Sequence, residues 1–151
     1  MRTLETFGGD PIAAQALAKA LSDEDPSVRT LAARSLGRHG GREHETAVLG
    51  QIEARDFDGR QPDEIEALLV AWADLTKERA VPLLDKLWRR KRFVARPTPV
   101  RLAAIKALGT IPGTASRAAL LEAQKSGEAP IKKAASRALQ EAQYSAWGRQ
   151  P

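Results

Sequence analysis

Five cations and two aromatic rings fall within nine residues at Trp88-Arg89-Arg90-Lys91-Arg92-Phe93-Val94-Ala95-Arg96, and Arg101 follows shortly after. Guanidinium groups form paired hydrogen bonds with carboxylates and phosphates, and aromatic rings stack on bases or on a partner's side chains. The chemistry of such a run is recognition of an anionic partner. The same residue types also have a use inside the fold. Cations at a helix C-terminus complement its dipole, and Trp88 and Phe93 can pack a linker onto the next helices. Lys132-Lys133 is a second, smaller basic cluster.

Other constellations carry less chemistry. His39 and His44 flank Gly40-Gly41-Arg42-Glu43, and five residues across two glycines set no metal-ligand geometry, so a solvated turn is expected there. Asp56 and Asp58 stand in Asp-Phe-Asp-Gly without the downstream oxygen ligands and bidentate glutamate of a calcium loop. Asp23-Glu24-Asp25 precedes a helix start, where negative charge favours the dipole and a side chain can cap. There is no phosphate-binding glycine loop, no Gly-x-Ser-x-Gly elbow and no cysteine, so thiol chemistry, zinc clusters and disulfides are excluded. No catalytic constellation, cofactor motif or metal set emerges, and a non-enzymatic chain is expected.

The elements that must position the basic run are helices. Alanine, leucine, arginine and glutamate dominate, aromatic residues are 5%, and β-branched residues do not alternate. At 151 residues the chain can bury one core without staples. The start lacks an apolar leader segment, and no stretch approaches the roughly 20 apolar residues of a membrane span. Together with the missing cysteines this points to the cytoplasm.

A block recurs at 36 residues. Pro26-Ser27-Val28-Arg29-Thr30-Leu31-Ala32-Ala33-Arg34-Ser35-Leu36-Gly37 returns as Pro62 to Trp72 and again as Pro99-Val100-Arg101-Leu102-Ala103-Ala104-Ile105-Lys106-Ala107-Leu108-Gly109, and a degenerate copy starts at Pro130 after 31 residues. Such a period marks an α-solenoid. Asp-Pro and Pro starts with Gly stops predict eight helices: Pro11 to Leu21, one opened by Asp25-Pro26 and closed by Gly37 and the pair Gly40-Gly41, Glu43 to Arg55, Pro62 to Leu75, Lys77 to Lys91, Thr98 to Thr110, Ser116 to Ser126 and Pro130 to about Tyr144. The expected organisation is one domain: a half repeat over 1–22, repeats over 23–58, 59–94 and 95–127, a terminal helix over 128–146 and a tail over 147–151. Ala32, Leu36, Leu68, Trp72, Ala104, Leu108, Ala135 and Leu139 are the expected core. Arg29, Arg101 and Lys132 share one repeat position, which reads as a ladder along the stack.

These residues resemble the HEAT-repeat family, in the bacterial branch that includes the phycobilisome-lyase-type repeats. An acidic residue and proline, Val-Arg, two alanines, a leucine and a glycine are matched best by Asp25 to Gly37 and Pro99 to Gly109, and Ala80-Val81-Pro82-Leu83-Leu84 matches the opening of a second helix. The resemblance implies an all-α, right-handed solenoid of antiparallel helix pairs, with the second helices of each pair lining a concave binding groove. It also implies a protein-interaction scaffold. Because the residues before Pro11 are too few for a first helix, the chain is expected to be a piece of a longer solenoid or to have its N-terminal edge covered by another subunit, and self-association there is a candidate.

Charge gives the scaffold a direction. Residues 1–75 hold 8 basic and 14 acidic residues, net −6, and residues 76–151 hold 16 basic and 5 acidic, net +11. A protein partner with an acidic surface is expected at Trp88, Arg89, Arg90, Lys91, Arg92, Phe93, Arg96, Arg101, Lys132 and Lys133. The alternative is a nucleic acid or anionic surface at residues 89–101, since some HEAT-like proteins, the alkylpurine DNA glycosylases among them, hold a duplex on a basic concave face.

Overall fold

The computed structural model describes residues 11–147, and eight α-helices lie among them. They are α1 (Pro11–Ala20), α2 (Pro26–His39), α3 (Glu45–Ile52), α4 (Pro62–Thr76), α5 (Val81–Trp88), α6 (Thr98–Gly109), α7 (Thr114–Gln124) and α8 (Ala129–Trp147). The expected half repeat over 1–22 and the tail over 147–151 lie partly outside the described residues. Short 3₁₀ turns at Arg42–His44, Phe57–Gly59 and Lys77–Ala80 lead into or out of the second helices.

Local chemistry explains where the helices start. The Asp25 carboxylate accepts a hydrogen bond from the Ser27 N–H at 2.8 Å while Pro26 occupies the first helical turn of α2. One orphan donor is thereby satisfied and the proline costs no bond. Pro62, Pro82 and Pro99 fall in the first turns of α4, α5 and α6 in the same way.

The helices stack as two layers. α2, α4, α6 and α8 pack in succession, and α1, α3, α5 and α7 pack against α2, α4, α6 and α8 in turn. The second helices therefore lean mainly on the first helix that follows them, whereas the sequence pairs each with the one before. This is an all-α, HEAT-like solenoid. Ala32, Leu36, Leu68, Ala104, Leu108 and Ala135 are buried in one continuous core, as their repeat position demands, with Trp72 and Leu139 partly buried against it. The indole Nε1 of Trp72 is buried and has no hydrogen-bond partner among the described residues.

The glycines of the repeat mark close approach. The sequence takes Gly37 and the pair Gly40-Gly41 as the close of this helix; α2 runs through Gly37 and ends at His39, capped by Gly40. A Cβ at Gly37 would stand 3.0 Å from the Cα of Ala71 on α4, and one at Gly109 would stand 3.0 Å from the Cβ of Ala138 on α8. Successive first helices touch at these points, backbone against small side chain. Replacing Gly37 by valine is expected to push α2 off α4 and destabilise the protein by about 1–3 kcal/mol, which a urea melt measures; an unchanged midpoint would contradict a tight crossing at this position.

The turn after α2 also differs from expectation. His44 is buried, not solvated, because the 3₁₀ turn tucks its ring beside Gly40, where a Cβ would come within 2.8 Å of the imidazole. His39 is exposed, and no group of three or more metal-ligating side chains exists among the described residues.

Arg29 and Arg101 carry out the same task in their repeats. Arg29 donates to the Asp23 and Glu24 carbonyls behind it and to the Glu64 carboxylate ahead of it, at 2.8, 3.1, 2.5 and 3.0 Å. Arg101 donates to the Trp88 carbonyl at 2.9 Å and bidentately to Glu128 at 2.8 and 3.0 Å. Each guanidinium ties the preceding loop to the next repeat. Lys132 holds the same position on α8 and is exposed, with no carboxylate paired to it among the described residues.

Candidate functional site

The Trp88 to Arg96 run is a loop and not the end of a long helix. α5 stops at Trp88, three residues earlier than its sequence pattern predicts, because Arg101 takes the Trp88 carbonyl and Arg89 turns extended. At the start of α5, Pro82 is accommodated only in a first turn, so the helix begins at Val81 and Lys77–Ala80 form the 3₁₀ turn.

Beyond Arg90 the chain doubles back. Lys91 and Val94 exchange both backbone hydrogen bonds, at 2.9 and 2.8 Å, which leaves Arg92 and Phe93 as a two-residue turn. Arg92 has φ +51°, a left-handed conformation that glycine or asparagine adopts more readily. Phe93 at the tip is 99% exposed, and Val94 beside it is largely exposed.

The repeat shows what is unusual here. Phe57 lies 36 residues before Phe93 and is 1% exposed, sealed into the core by its own 3₁₀ turn. One repeat later the same side chain stands in solvent. Sequence reasoning placed Phe93 in a linker and missed the equivalence, although the 36-residue spacing to Phe57 is present in the chain.

The candidate residues divide by what they touch. Trp88 is buried, its indole N–H donates to Asp85 at 2.9 Å, and the Arg89 guanidinium lies 4.8 Å from the ring centre while bonding the same carboxylate at 2.8 Å. That hydrogen-bonded contact with Asp85 raises the Arg89 pKa further above its ordinary value. Arg96 is bonded to Asp58 at 2.7 Å, and Arg101 is 4% exposed inside its clamp. Trp88 and Arg101 are thus buried at the base of the loop and not on its exposed surface. Arg90, Lys91 and Arg92 are exposed and make no ion pair among the described residues.

Internal pairing also accounts for part of the charge gradient. Arg79, Arg96 and Lys106 in the basic half bond Glu45, Asp58 and Glu66 in the acidic half, at 2.6, 2.7 and 2.6 Å. The two halves attract across the repeats. The cations left over in the second half are concentrated at Arg90, Lys91 and Arg92 and on α8 at Lys132 and Lys133.

Arg90 and Lys133 line different depressions. Arg89, Arg90 and Lys125 border a shallow depression that also carries Glu122 and Glu128. Lys133 instead lines a groove of about 580 Å³ on the first-helix layer, together with Pro99, Leu102, Lys106, Glu66 and Glu141. The sequence placed a groove on the second helices, whereas this one runs across α4, α6 and α8. Carboxylates interrupt both surfaces, so neither offers the unbroken cationic track that a phosphate backbone prefers.

Several carboxylates are held below their ordinary pKa by an arginine hydrogen bond: Glu45 by Arg79, Asp56 by Arg60 and Glu128 by Arg101. A carboxyl whose folded pKa is depressed adds stability above its unfolded value, and that stability is lost as pH falls through the folded value. Asp74, raised by burial, opposes this weakly, since protonation favours the folded state. Urea midpoints are therefore expected to fall as pH drops below about 4.5; a midpoint constant from pH 7 to pH 3 would contradict these pairings.

Comparison with known proteins agrees with the architecture. Residues 14–38 match the family model of the HEAT repeat, spanning most of α1 and α2, and residues 100–126 match that of the PBS lyase HEAT-like repeat, spanning α6 and α7. No curated protein matches the chain. HEAT repeats are generally modules on which other proteins assemble. Among the described residues no helix is long and apolar enough to cross a membrane. The stacked helices, the recurring glycine contacts and the two matched segments together make this chain a member of the HEAT-repeat family.

Proposed function

We infer that the chain is a non-enzymatic scaffold that docks a protein partner with an acidic surface through the 89–96 loop. One observation carries the inference: Phe93 is fully exposed on a left-handed turn beside three cations that make no ion pair among the described residues, while its repeat equivalent Phe57 is buried. Water is a poor environment for a phenyl ring, and a non-glycine residue with positive φ is retained at a cost. An apolar anchor flanked by charges is the usual form of a binding hot spot, in which the ring fills a pocket and the charges select an acidic rim. Arg90, Lys91 and Arg92 supply that selection, Phe93 and Val94 the anchor, and Trp88, Arg89, Arg96 and Arg101 hold the loop in place.

Affinity capture tests this. Proteins recovered by the wild-type chain are expected to be lost when Arg90, Lys91 and Arg92 are all changed to glutamate, with the thermal melt unchanged. Undiminished recovery contradicts the docking role of the loop. A random DNA duplex is expected to bind negligibly at low salt, where a phosphate-binding surface would be strongest.

A further inference from the structure

The first helices run parallel, and each turns one stripe toward the helix before it. Arg29 near the start of α2 bonds Glu64 near the start of α4, and Gly37 near the end of α2 meets Ala71 further along α4. Gly109 on α6 meets Ala138 on α8 in the same manner. The stripe so covered is Glu64, Ala67 and Ala71 on α4, Val100, Ala103 and Ala107 on α6, and Ile131, Ala134 and Ala138 on α8. All are buried except Ala134, which is partly buried against the core. Their counterparts on α2 are Val28, Leu31 and Ser35, and there the stripe has no predecessor among the described residues. Leu31 is 66% exposed, in place of the alanines of the other three repeats.

The residues that do the covering also recur. The ends of α2 and α6 read Ala33-Arg34-Ser35-Leu36-Gly37 and Ile105-Lys106-Ala107-Leu108-Gly109: an apolar residue, a charge, a small residue, a leucine and a glycine. Ala33, Leu36, Ile105 and Leu108 are buried. The chain carries this order once more, as Leu4-Glu5-Thr6-Phe7-Gly8, just before α1. α2, α4 and α6 each directly precede the second helix of their pair, so a predecessor of α2 belongs immediately before α1. Leu4 to Gly8 stand at that place, and Gly9-Asp10 is a connection short enough to join two antiparallel helices.

We propose that residues 1–8 cover the open α2 stripe as the closing turns of a first helix, with Leu4 over Leu31 and Gly8 against Ser35. The register follows from the repeat. Gly37 meets Ala71, so Ala33 one turn earlier is level with Ala67, and Leu4 and Leu31 hold those two positions. Eight helical residues rise about 12 Å, enough to span Ser35 and Leu31. Covering Leu31 takes a leucine side chain out of water. The outward face then carries Arg2 and Thr6, the equivalents of Leu31 and Ser35, so the newly exposed stripe is polar. A polar outer face is how a solenoid is capped. The segment's own residues therefore suit it to close the stack, which a second apolar stripe would not do.

Disulfide trapping in the full chain tests the proposal. The protein has no cysteine, so an introduced pair reports only on itself. A Cβ at Gly37 would lie 3.3 Å from the Cβ of Ala71, near the roughly 3.5–4.5 Å of a disulfide. Gly8→Cys with Ser35→Cys is expected to close within one chain on mild oxidation at low micromolar concentration. Thr6→Cys with Ser35→Cys is the control, because Thr6 faces away from α2, and it is expected to close at least about tenfold more slowly. Leu4→Ser and Leu31→Ser are each expected to lower the thermal midpoint by about 3–6 °C, and the two combined to cost little more than either. Equal rates for the two cysteine pairs, disulfide-linked dimers in place of linked monomers, or midpoints indifferent to both serines would each overturn it.

Discussion

Replacing Phe57 by alanine is expected to destabilise the protein by about 3–5 kcal/mol, whereas replacing Phe93 by alanine is expected to change stability by less than about 0.5 kcal/mol. The two residues hold the same position one repeat apart. Phe57 is sealed into the core, so its removal loses both the transfer energy of a phenyl ring and the contacts of the cavity left behind. Phe93 gives up nothing on truncation, because its ring already stands in water. Two urea melts make the comparison. Equal losses would mean that Phe93 is packed in solution and that the loop is not a presenting surface.

Arg29→Met is expected to cost about 2–4 kcal/mol, lowering the melting temperature by roughly 5–15 °C. Glu64 is 1% exposed, and Arg29 supplies two of its hydrogen bonds while Arg60 supplies a third at 3.2 Å. Losing the stronger partner leaves a carboxylate in the core with one guanidinium, and Arg60 keeps the cost below that of a wholly orphaned charge. The Asp23 and Glu24 carbonyls lose their donor as well. Arg101→Met is expected to cost less, because Glu128 at 39% exposure can return to water. Adding Glu64→Met to Arg29→Met is expected to recover much of the loss, since apolar side chains replace a buried pair with little penalty. A double variant no more stable than the single one would show that the lost packing of Arg29, and not the stranded carboxylate, sets the cost.

Much of the fold was legible in the residues because a repeat turns one local rule into many. Asp25-Pro26 announces a helix start by chemistry that needs no tertiary partner, and Leu36 and Leu108 declare a core by recurring at one interval. The ladder of Arg29 and Arg101 was visible in the same way. What escaped notice depends on contacts between distant segments. Gly37 reads as part of a helix close along the chain and acts as a contact across to Ala71. The end of α5 is set by Arg101, thirteen residues later, and the burial of His44 by a ring placed against Gly40.

The site was legible only as composition. A run of cations and aromatics identifies a segment, but the side chains it contributes to the surface are decided by pairing. Asp85 and Asp58 neutralise Arg89 and Arg96, Arg101 is withdrawn into a clamp, and three cations with one ring are left outside. The net charges of the two halves mislead for the same reason, since Arg79–Glu45 and Lys106–Glu66 spend part of that difference on stacking the repeats.

The most direct measurement is the affinity of a captured partner for the wild-type chain and for Phe93→Ser, made by calorimetry on two proteins of equal thermal stability. Loss of a hot-spot anchor of at least about 2 kcal/mol corresponds to weakening of roughly thirtyfold or more, and that is the predicted result. Affinity unchanged within about twofold would contradict the assignment of the 89–96 loop as the docking surface.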